Sequence, residues 1–580
     1  MAQGGNQSAT GSEPIDWVAR AADAAIRHAQ ENGGASGQHR VITCASGASP
    51  SGPIHLGNLR EFLTPHLVAE EIRRRGLAVR HLHSWDDFDR FRKVPAGVDP
   101  SWAEHIGRPL SAVPDPWLCH ESWAEHFKAP LRAALDELGV EVQEVSQSER
   151  YRAGAYTKQV LRAVRDRDVV EEVLARYRTK KNEPVAGSEQ EAAALEESIA
   201  DEDERIAAAG RFARFPYKPY CRDCARDTVE VTAYDDTTTD LDYSCSSCAF
   251  STTINLATQH EGKLVWKVDW PMRWYVEGVD FESGGLDHSA PSSSYTVGKE
   301  LVSRIFGFRA PSYVGYAFVG FAGMQKMSSS SGGVPTAADA LRVMEAPILR
   351  WLYARRLPKQ SFTIDFGPEV VRLYDEWDSL ARRADDLAKR DAGVLAYERA
   401  CATTTAGLLP RPKVVVPFRL LSSIADVTAG SADMISETVT KAGYAHERLG
   451  DLQPRLGRAM AYTAEFVPAA ERTVVRGEPD VERLSRLSPV EAGWLAELRH
   501  RLPDEFELGP MTSLLYGVPK LAHGLDIDDA PTEQVKLDQK DFFRLLYHLL
   551  VGAERGPRLP TLFLALGAEW VRALLSPLQA

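Results

Sequence analysis

A turn between a strand and a helix, and a serine-rich stretch far downstream, hold the residues best suited to chemistry. The first is Pro50-Ser51-Gly52-Pro53-Ile54-His55-Leu56-Gly57-Asn58, in a chain of 580 residues. Glycines let a backbone approach phosphate closely, and the free N–H groups at a helix start form an anion site. His55 and Asn58 are three apart, so in a first helical turn both can face one ligand. An imidazole able to carry charge, beside a neutral amide donor, suits a triphosphate whose α-phosphorus is under attack. A plain glycine turn closed by a helix-capping Asn would use the same residues. The second stretch is Gly323-Met324-Gln325-Lys326-Met327-Ser328-Ser329-Ser330-Ser331-Gly332-Gly333. Lys326, with the hydroxyls of Ser328, Ser329 and Ser330, offers a cation and donors for a departing pyrophosphate. Alone it reads equally as a flexible linker. Both segments in one chain, in this order, point to a nucleotide that they share.

Seven cysteines are present, and four of them form Cys221-x-x-Cys224 and Cys245-x-x-Cys248, with 20 residues between the pairs. Each pair fits a tight knuckle, and four thiolates close a tetrahedral structural zinc site with no open position. Four reduced, buried thiols are the plainer alternative. An iron–sulfur cluster suits the chain less, because nothing else in it suggests redox chemistry.

The elements that must position these groups follow from hydrophobic periodicity. Trp17 to Glu31 predicts a helix, stopped by Gly33, Gly34 and Gly37. Val41 to Ala45 predicts a buried strand, and Ser46 to Pro53 a small-residue turn. A second helix runs from His55 or Asn58 through Ile72, and Arg73-Arg74-Arg75-Gly76 supply a basic C-terminus followed by glycine. Val79 to Leu82 predicts the next strand. Strand, small-residue loop, helix and strand open a nucleotide-binding α/β fold with parallel strands. A helix at Trp123–Leu138 and a strand at Val140–Val145 extend it.

From about 150 to 262 a charge-rich helical stretch to Arg211 leads into the cysteine segment, an insertion in the α/β domain. Strand character returns at Val265–Val268, a Gly/Ser/Asp/His-rich loop occupies Gly278–Ser294, and Tyr295–Phe306 predicts a helix. After about 345 the pattern is almost purely helical, as in Val370, Leu373, Trp377 and Leu380, and again from Phe542 through Leu564. The implied organisation is a loose tail (1–13), two halves of a catalytic domain (14–149 and 263–345), the insertion between them (150–262), and a helical domain (346–580).

Composition sets the outer limits. The chain is 44% hydrophobic and 26% charged, ordinary for a globular protein. No stretch is long and apolar enough to span a bilayer, and residues 1–13 lack the apolar core of a signal peptide, so a cytoplasmic location is expected. The odd cysteine count and their crowding argue against a disulfide scaffold. A net charge of −13 does not exclude a nucleic-acid partner, because clustering of Lys and Arg matters more than their excess. Eight of the acids sit between Glu189 and Glu204 and need face no RNA.

The two phosphate-handling segments resemble the paired ATP signatures of class I aminoacyl-tRNA synthetases, a His-x-Gly-His loop and a Lys-Met-Ser-Lys-Ser loop. Asn58 stands where most of that class has its second histidine, and Ser329 where it has its second lysine. Both departures are usual in one subgroup, the class I lysyl-tRNA synthetases, which the chain resembles from about Trp17 to its C-terminus. The resemblance is carried by Trp85-Asp86-Asp87-Phe88-Asp89-Arg90-Phe91-Arg92-Lys93-Val94-Pro95, by Gly107–Leu110 with Pro114-Asp115-Pro116, by Val268–Trp274 and by Gly284–His288. In the helical region Val416–Arg419, Phe542–Tyr547 and Gly556–Leu559 carry it. The resemblance implies a Rossmann-type catalytic domain, a zinc-binding connective insertion meeting the acceptor end of tRNA, and an anticodon-binding helical domain.

It also implies that lysine is joined to tRNA(Lys) with ATP and Mg²⁺ through a lysyl-adenylate; a monomer is the preferred expectation, not one the resemblance implies. Pro50, Ser51, Gly52, His55, Gly57, Asn58, Lys326, Met327 and Ser328 would then hold ATP. By position Gly47, Ser49, Trp266, His288 and Tyr316 would line the amino-acid pocket. Chemistry adds Trp270 and Asp287: aromatic faces cover the substrate's aliphatic stem and attract its ammonium, and a carboxylate pairs with it. The candidate acids are Asp86, Asp87, Glu277, Asp280 and Asp287. A glutamate- or cysteine-specific member of the class, or a non-catalytic tRNA-binding relative, would share much of this pattern.

Overall fold

The computed structural model describes residues 16–32, 41–180, 212, 214–289, 293–324, 333–384, 386 and 391–576. The side chains of residues 178–180 and of Asp287 lie outside that description. The chain divides into two compact units: Met1–Ala340 with Leu349–Ile364 and Arg383–Leu409, and Leu341–Ile348 with Asp365–Arg382 and Pro410–Ala580.

The first unit is built on a five-stranded sheet. Helix α1 (Trp17–Asn32) leads to strand β1 (Ile42–Ala48), helix α2 (Leu59–Arg74) and strand β2 (Val79–Trp85). Helix α3 (Trp123–Glu137) and strand β3 (Gln143–Ser146) follow. β1 pairs in parallel with β2, from Ile42 opposite Val79 to Ala48 opposite Trp85, and β2 pairs in parallel with β3. β1 starts one residue after Val41 and runs three residues beyond Ala45, because a central parallel strand buried by helices needs no alternation. α2 buries Leu59, Phe62, Leu63, Leu67, Val68 and Ile72. These recur with helical spacing, which is why the pattern was readable.

The insertion begins with short helices and ends in strands. β4 (Tyr217–Pro219) pairs antiparallel with β8 (Gly262–Leu264) as a stem. Between them β5 (Val229–Tyr234), β6 (Asp240–Cys245) and β7 (Ser251–Asn255) form an antiparallel sheet.

Two expectations fail just beyond this stem. The run Val265–Val268 is not a strand: helix α7 spans Trp266–Glu277, after α4 (Gln147–Arg152), α5 (Thr157–Arg165) and α6 (Arg167–Lys180). Four apolar-rich residues fit either period, and tertiary packing of Trp266, Trp270 and Trp274 at four-residue spacing decided it. The Gly278–Ser294 stretch is not all loop either, for Phe281–Gly285 is strand β9, buried at every residue. Its glycines and polar residues conceal it, yet it pairs in parallel with β1 (Cys44 opposite Phe281, Ala45 opposite Glu282). Helix α8 (Ser294–Leu301) continues into a π-turn over Val302–Phe306, and strand β10 (Ser312–Tyr316) pairs in parallel with β9.

The sheet order is therefore β10-β9-β1-β2-β3. Connections run one way from β1 through β2 to β3, and the other way through β9 to β10. The order reverses between β1 and β9, and the crevice beyond the carboxyl ends of those two strands is where such sheets bind ligands.

The described residues after 345 are mainly helical, with small exceptions in the first unit: β11 (Val319–Phe321) pairs with β12 (Phe362–Ile364), and two two-residue strands pair near 402–408. In the second unit the Phe542–Leu564 pattern is two helices, Glu533–Val551 and Leu559–Leu574, parted at Gly552. The core of this unit joins Trp494, Leu498, Met511, Leu515, Phe542, Leu546 and Phe563. Arg455 is buried there against Glu345 at 2.7 Å and Asp378 at 2.8 Å.

Candidate functional site

A cavity of about 720 Å³ opens at the reversal point of the first unit's sheet. It is lined by Gly47, Ala48 and Ser49 from the end of β1, by Gly284 and Gly285 from the end of β9, and by the His55–Asn58 turn. That size suits a small-molecule site.

The turn is built by local hydrogen bonds. Asn58 occupies the N-cap position of α2 but makes no side-chain capping bond. Its Oδ1 instead accepts from the His55 N–H at 3.2 Å. The helix-cap explanation of Asn58 is thereby excluded, and the first N–H groups of α2 keep no protein side-chain cap. Burial lowers the His55 imidazole to about 4, so at neutral pH it is uncharged. It is a neutral imidazole here, not the cation its residue type allowed. Its Nδ1 is buried without a hydrogen-bond partner, as expected of a group that awaits a ligand.

Lys326, Met327, Ser328, Ser329 and Ser330 lie outside the described residues, but the chain on both sides of them reaches this site. Met324 lines the cavity. Beyond the gap, Pro335 O accepts from Leu56 N–H at 2.9 Å, and Thr336 forms an antiparallel bridge with His55. Tyr353 fixes the same turn by donating to Leu56 O at 2.7 Å. Ser51 and Gly57 line the cavity, while Pro50 and Gly52 are buried and are not among its lining residues. Ser51 is held through its carbonyl, which accepts from Trp123 Nε1 at 3.2 Å.

The opposite wall is aromatic. Trp266 stacks on Trp270 at 5.3 Å, and Trp270 meets the His288 ring edge-on at 5.7 Å. Tyr316 lies at the end of β10 and donates to Glu61 Oε2, while Glu61 Oε1 accepts from Gly47 N–H at 3.2 Å. Gly47, Ser49, Trp266, Trp270, His288 and Tyr316 thus share one cavity.

The candidate acids divide sharply. Asp87 is consumed by Lys128 at 2.8 Å and by the Ser146 and Ser148 hydroxyls, both at 2.7 Å. Asp280 joins His28 to the Thr43 N–H, both at 3.0 Å. Neither lines the cavity. Asp86 lines it but is paired with Arg273 at 2.6 Å, and Glu277 faces Arg150 at 3.3 Å. Arg273 also binds Asp269, whose neighbour Lys263 bridges to Asp89 at 2.5 Å. Among the cavity-lining carboxylates that reasoning from sequence missed are Glu61 and Glu282. Glu61 sits one turn into a helix with nothing to distinguish it. Glu282 lies in the strand mistaken for loop.

The four insertion cysteines converge, with Cys221 and Cys248 sulfurs 3.6 Å apart and those of Cys224 and Cys245 3.7 Å apart. A tetrahedron of Zn–S bonds near 2.3 Å has edges of roughly 3.7 Å, so the donor set fits zinc. Both knuckles repeat one backbone pattern. Ala225 N–H donates to Cys221 O and Ala249 N–H to Cys245 O, and both alanines take positive φ, 59° and 57°.

A second convergent set comprises Asp115, Cys119, His120 and His126. Cys119 Sγ is 3.2 Å from Asp115 Oδ2 and 3.1 and 3.3 Å from the Nδ1 atoms of His120 and His126. The visible signal was Cys119-His120 with a histidine six residues on.

A parallel sheet whose order reverses beside β1, with a glycine turn feeding α2 and an aromatic pocket beside it, is the architecture of a doubly wound α/β domain. The chain belongs to the class I tRNA synthetases, and its residues 15–402 match the family model described as tRNA synthetases class I (K). It is 50% identical to a lysine–tRNA ligase of Streptomyces coelicolor, over 98% of this chain and 99% of that one. It is 32% identical to a lysine–tRNA ligase of Thermococcus kodakarensis, over 96% of this chain and 98% of that one. Among solved structures, a glutamate tRNA ligase from Elizabethkingia meningosepticum aligns over 92% of this chain and 98% of its own, at 14% identity and a TM-score of 0.41. Among the described residues no helix is long and apolar enough to cross a membrane.

Proposed function

We propose that this chain joins L-lysine to tRNA(Lys) using ATP, through an enzyme-held lysyl-adenylate. The observation that carries the reading is that one cavity brings the His55–Asn58 turn together with an aromatic wall and a carboxylate. The names of the relatives give the same amino acid.

In the first step the substrate carboxylate attacks the α-phosphorus of ATP and pyrophosphate leaves. No general base is required, and the protein's work is positioning and charge stabilisation. Neutral His55 and Asn58 donate to the phosphates at the start of α2. Lys326 and the hydroxyls of Ser328, Ser329 and Ser330 would complete the leaving-group side. With no second lysine at Ser329, that side depends on Lys326 and on neutral donors. Mg²⁺ accompanies ATP, and no side chain is assigned to it. Trp266 and Trp270 cover the aliphatic stem of lysine, and Glu61 with Tyr316 receives the ammonium. A glutamate substrate would instead set like charges together at Glu61. In the second step the terminal ribose hydroxyl of tRNA attacks the activated carbonyl and AMP leaves.

Cys221, Cys224, Cys245 and Cys248 would hold one structural zinc, which fastens an arm too small to fold on burial alone. Asp115, Cys119, His120 and His126 would hold a second. That site would brace the start of α3, from which Trp123 reaches Ser51. The insertion would meet the acceptor end of tRNA and the helical unit its anticodon, in a cytoplasmic monomer.

Aminoacylation of tRNA(Lys) with each standard amino acid in turn tests the activity. Lysine-dependent charging is expected, and a preparation that charges another amino acid while ignoring lysine refutes the specificity. Metal analysis should find about two zinc ions per chain. Cys221→Ser and Cys119→Ser should each remove a different one.

A further inference from the structure

We infer that Glu282 is a positioning residue, whose carboxylate clamps the indoles of Trp270 and Trp274 so that Trp266 and Trp270 present a fixed aromatic wall to the substrate. The inference rests on the reading of that end of the cavity as the amino-acid pocket.

Glu282 stands on β9 in register with Ala45 of β1 and is 6% exposed. A carboxylate so placed is costly unless its oxygens are hydrogen-bonded. Each oxygen receives one indole: Oε1 accepts from Trp270 Nε1 at 2.9 Å and Oε2 accepts from Trp274 Nε1. Trp266, Trp270 and Trp274 are spaced four apart on α7, so one helix face carries all three. Trp274 cannot retreat from the clamp, since its far edge rests on Gly298 of α8. An added Cβ there would come within 2.8 Å of the ring. Trp270, held from the same carboxylate, carries the stacked Trp266 and the edge contact with His288. One carboxylate and one glycine thus fix the aromatic face that the substrate stem would meet.

The chemistry of the clamp demands an acid. A carboxylate accepts at both oxygens, whereas a carboxamide must turn its NH₂ towards one indole N–H, donor against donor. Glu282→Gln keeps shape and volume and breaks only this match. Removing the opposed donor, by Trp274→Phe in the same chain, leaves the carboxamide without conflict.

The test is steady-state aminoacylation by the full-length enzyme, with whichever amino acid the unaltered enzyme charges. Glu282→Gln should raise the KM for that amino acid about tenfold, the worth of roughly one hydrogen bond. Its kcat and its KM for ATP should stay within about twofold, since neither the turn at His55 nor the reacting atoms are touched. The Glu282→Gln/Trp274→Phe pair should recover most of the lost KM. An unchanged KM in Glu282→Gln overturns the inference. So does a paired variant as impaired as the single one, which would mark direct contact of Glu282 with the substrate. If Glu282→Gln is recovered unfolded, the Glu282→Gln/Trp274→Phe pair, with its donor conflict removed, should still fold and keep the KM within about threefold, and its failure to fold overturns the inference. Charging of an amino acid other than lysine would remove the specificity reading and leave this cycle intact.

Discussion

Replacing Glu61 by glutamine should separate lysine binding from catalysis. Glu61 Oε1 accepts from Gly47 N–H at 3.2 Å, and Oε2 accepts from the Tyr316 hydroxyl at the cavity wall. Glutamine can keep the bond from Gly47 and reverse the one with Tyr316, whose hydroxyl also accepts, but it loses the negative charge that would face the substrate ammonium. A hydrogen bond to a charged group contributes about 1.5–3 kcal/mol, so the KM for lysine should rise roughly 10- to 150-fold. The KM for ATP should barely move, because the substitution leaves in place the turn's bonds to Pro335 and Tyr353 and the backbone bond from Glu61 N–H to Asn58 O. Norleucine, which has the stem without the ammonium, supplies the internal control: its weak binding should be nearly equal in both enzymes. The assay is initial-rate aminoacylation across lysine concentrations, with ATP and tRNA saturating. A lysine KM within about threefold of the unaltered enzyme would refute the pairing of Glu61 with the ammonium.

Three further outcomes follow from the structure. Burial raises the Glu282 carboxyl to about 7, and protonation turns one acceptor oxygen into a hydroxyl. The KM for lysine should therefore climb as pH falls from 8 to 6, while His55, already neutral at about 4, contributes nothing in that window. Glu282→Gln should flatten the profile, and a profile unchanged by that substitution would contradict the assignment. In the helical unit, Arg455→Ala would strand Glu345 and Asp378 without their cation, costing about 3–5 kcal/mol. Chemical denaturation of that variant should show the loss in its midpoint, and a shift worth under 1 kcal/mol would refute it. Gly298→Ala should push on Trp274, cost about 1–3 kcal/mol by overpacking, and lower the thermal midpoint.

The parts readable from sequence were those with local signatures. α1, α2 and the start of β1 announce themselves through periodic apolar residues and through Gly33, Gly34 and Gly76, which punctuate them. The cysteine pairs were legible because a zinc knuckle needs two thiols at a fixed short spacing. What stayed hidden depends on partners distant in the chain. Phe281-Glu282-Ser283-Gly284-Gly285 has the composition of a loop and becomes a strand only because β1 and β10 flank it. Trp266–Val268 became helix once three tryptophans could share one face. Glu61 is one acid among many in a helix until Tyr316, 255 residues away, meets it. The turn residues were recognisable, but the charge state of His55 was not, since burial is a property of the folded neighbourhood.

The position of β1 in the sheet carries a cost during synthesis. β2 follows it closely and can pair at once, but the other flank waits for β9, about 240 residues later. At roughly 5–20 residues per second a ribosome leaves that edge bare for roughly 12–50 s. An unpaired apolar strand edge is a template for misassembly with another chain. The nascent N-terminal half should therefore be the portion of this protein that most depends on chaperones, and the stretch between β1 and β9 the one in which a pause in translation does the most harm.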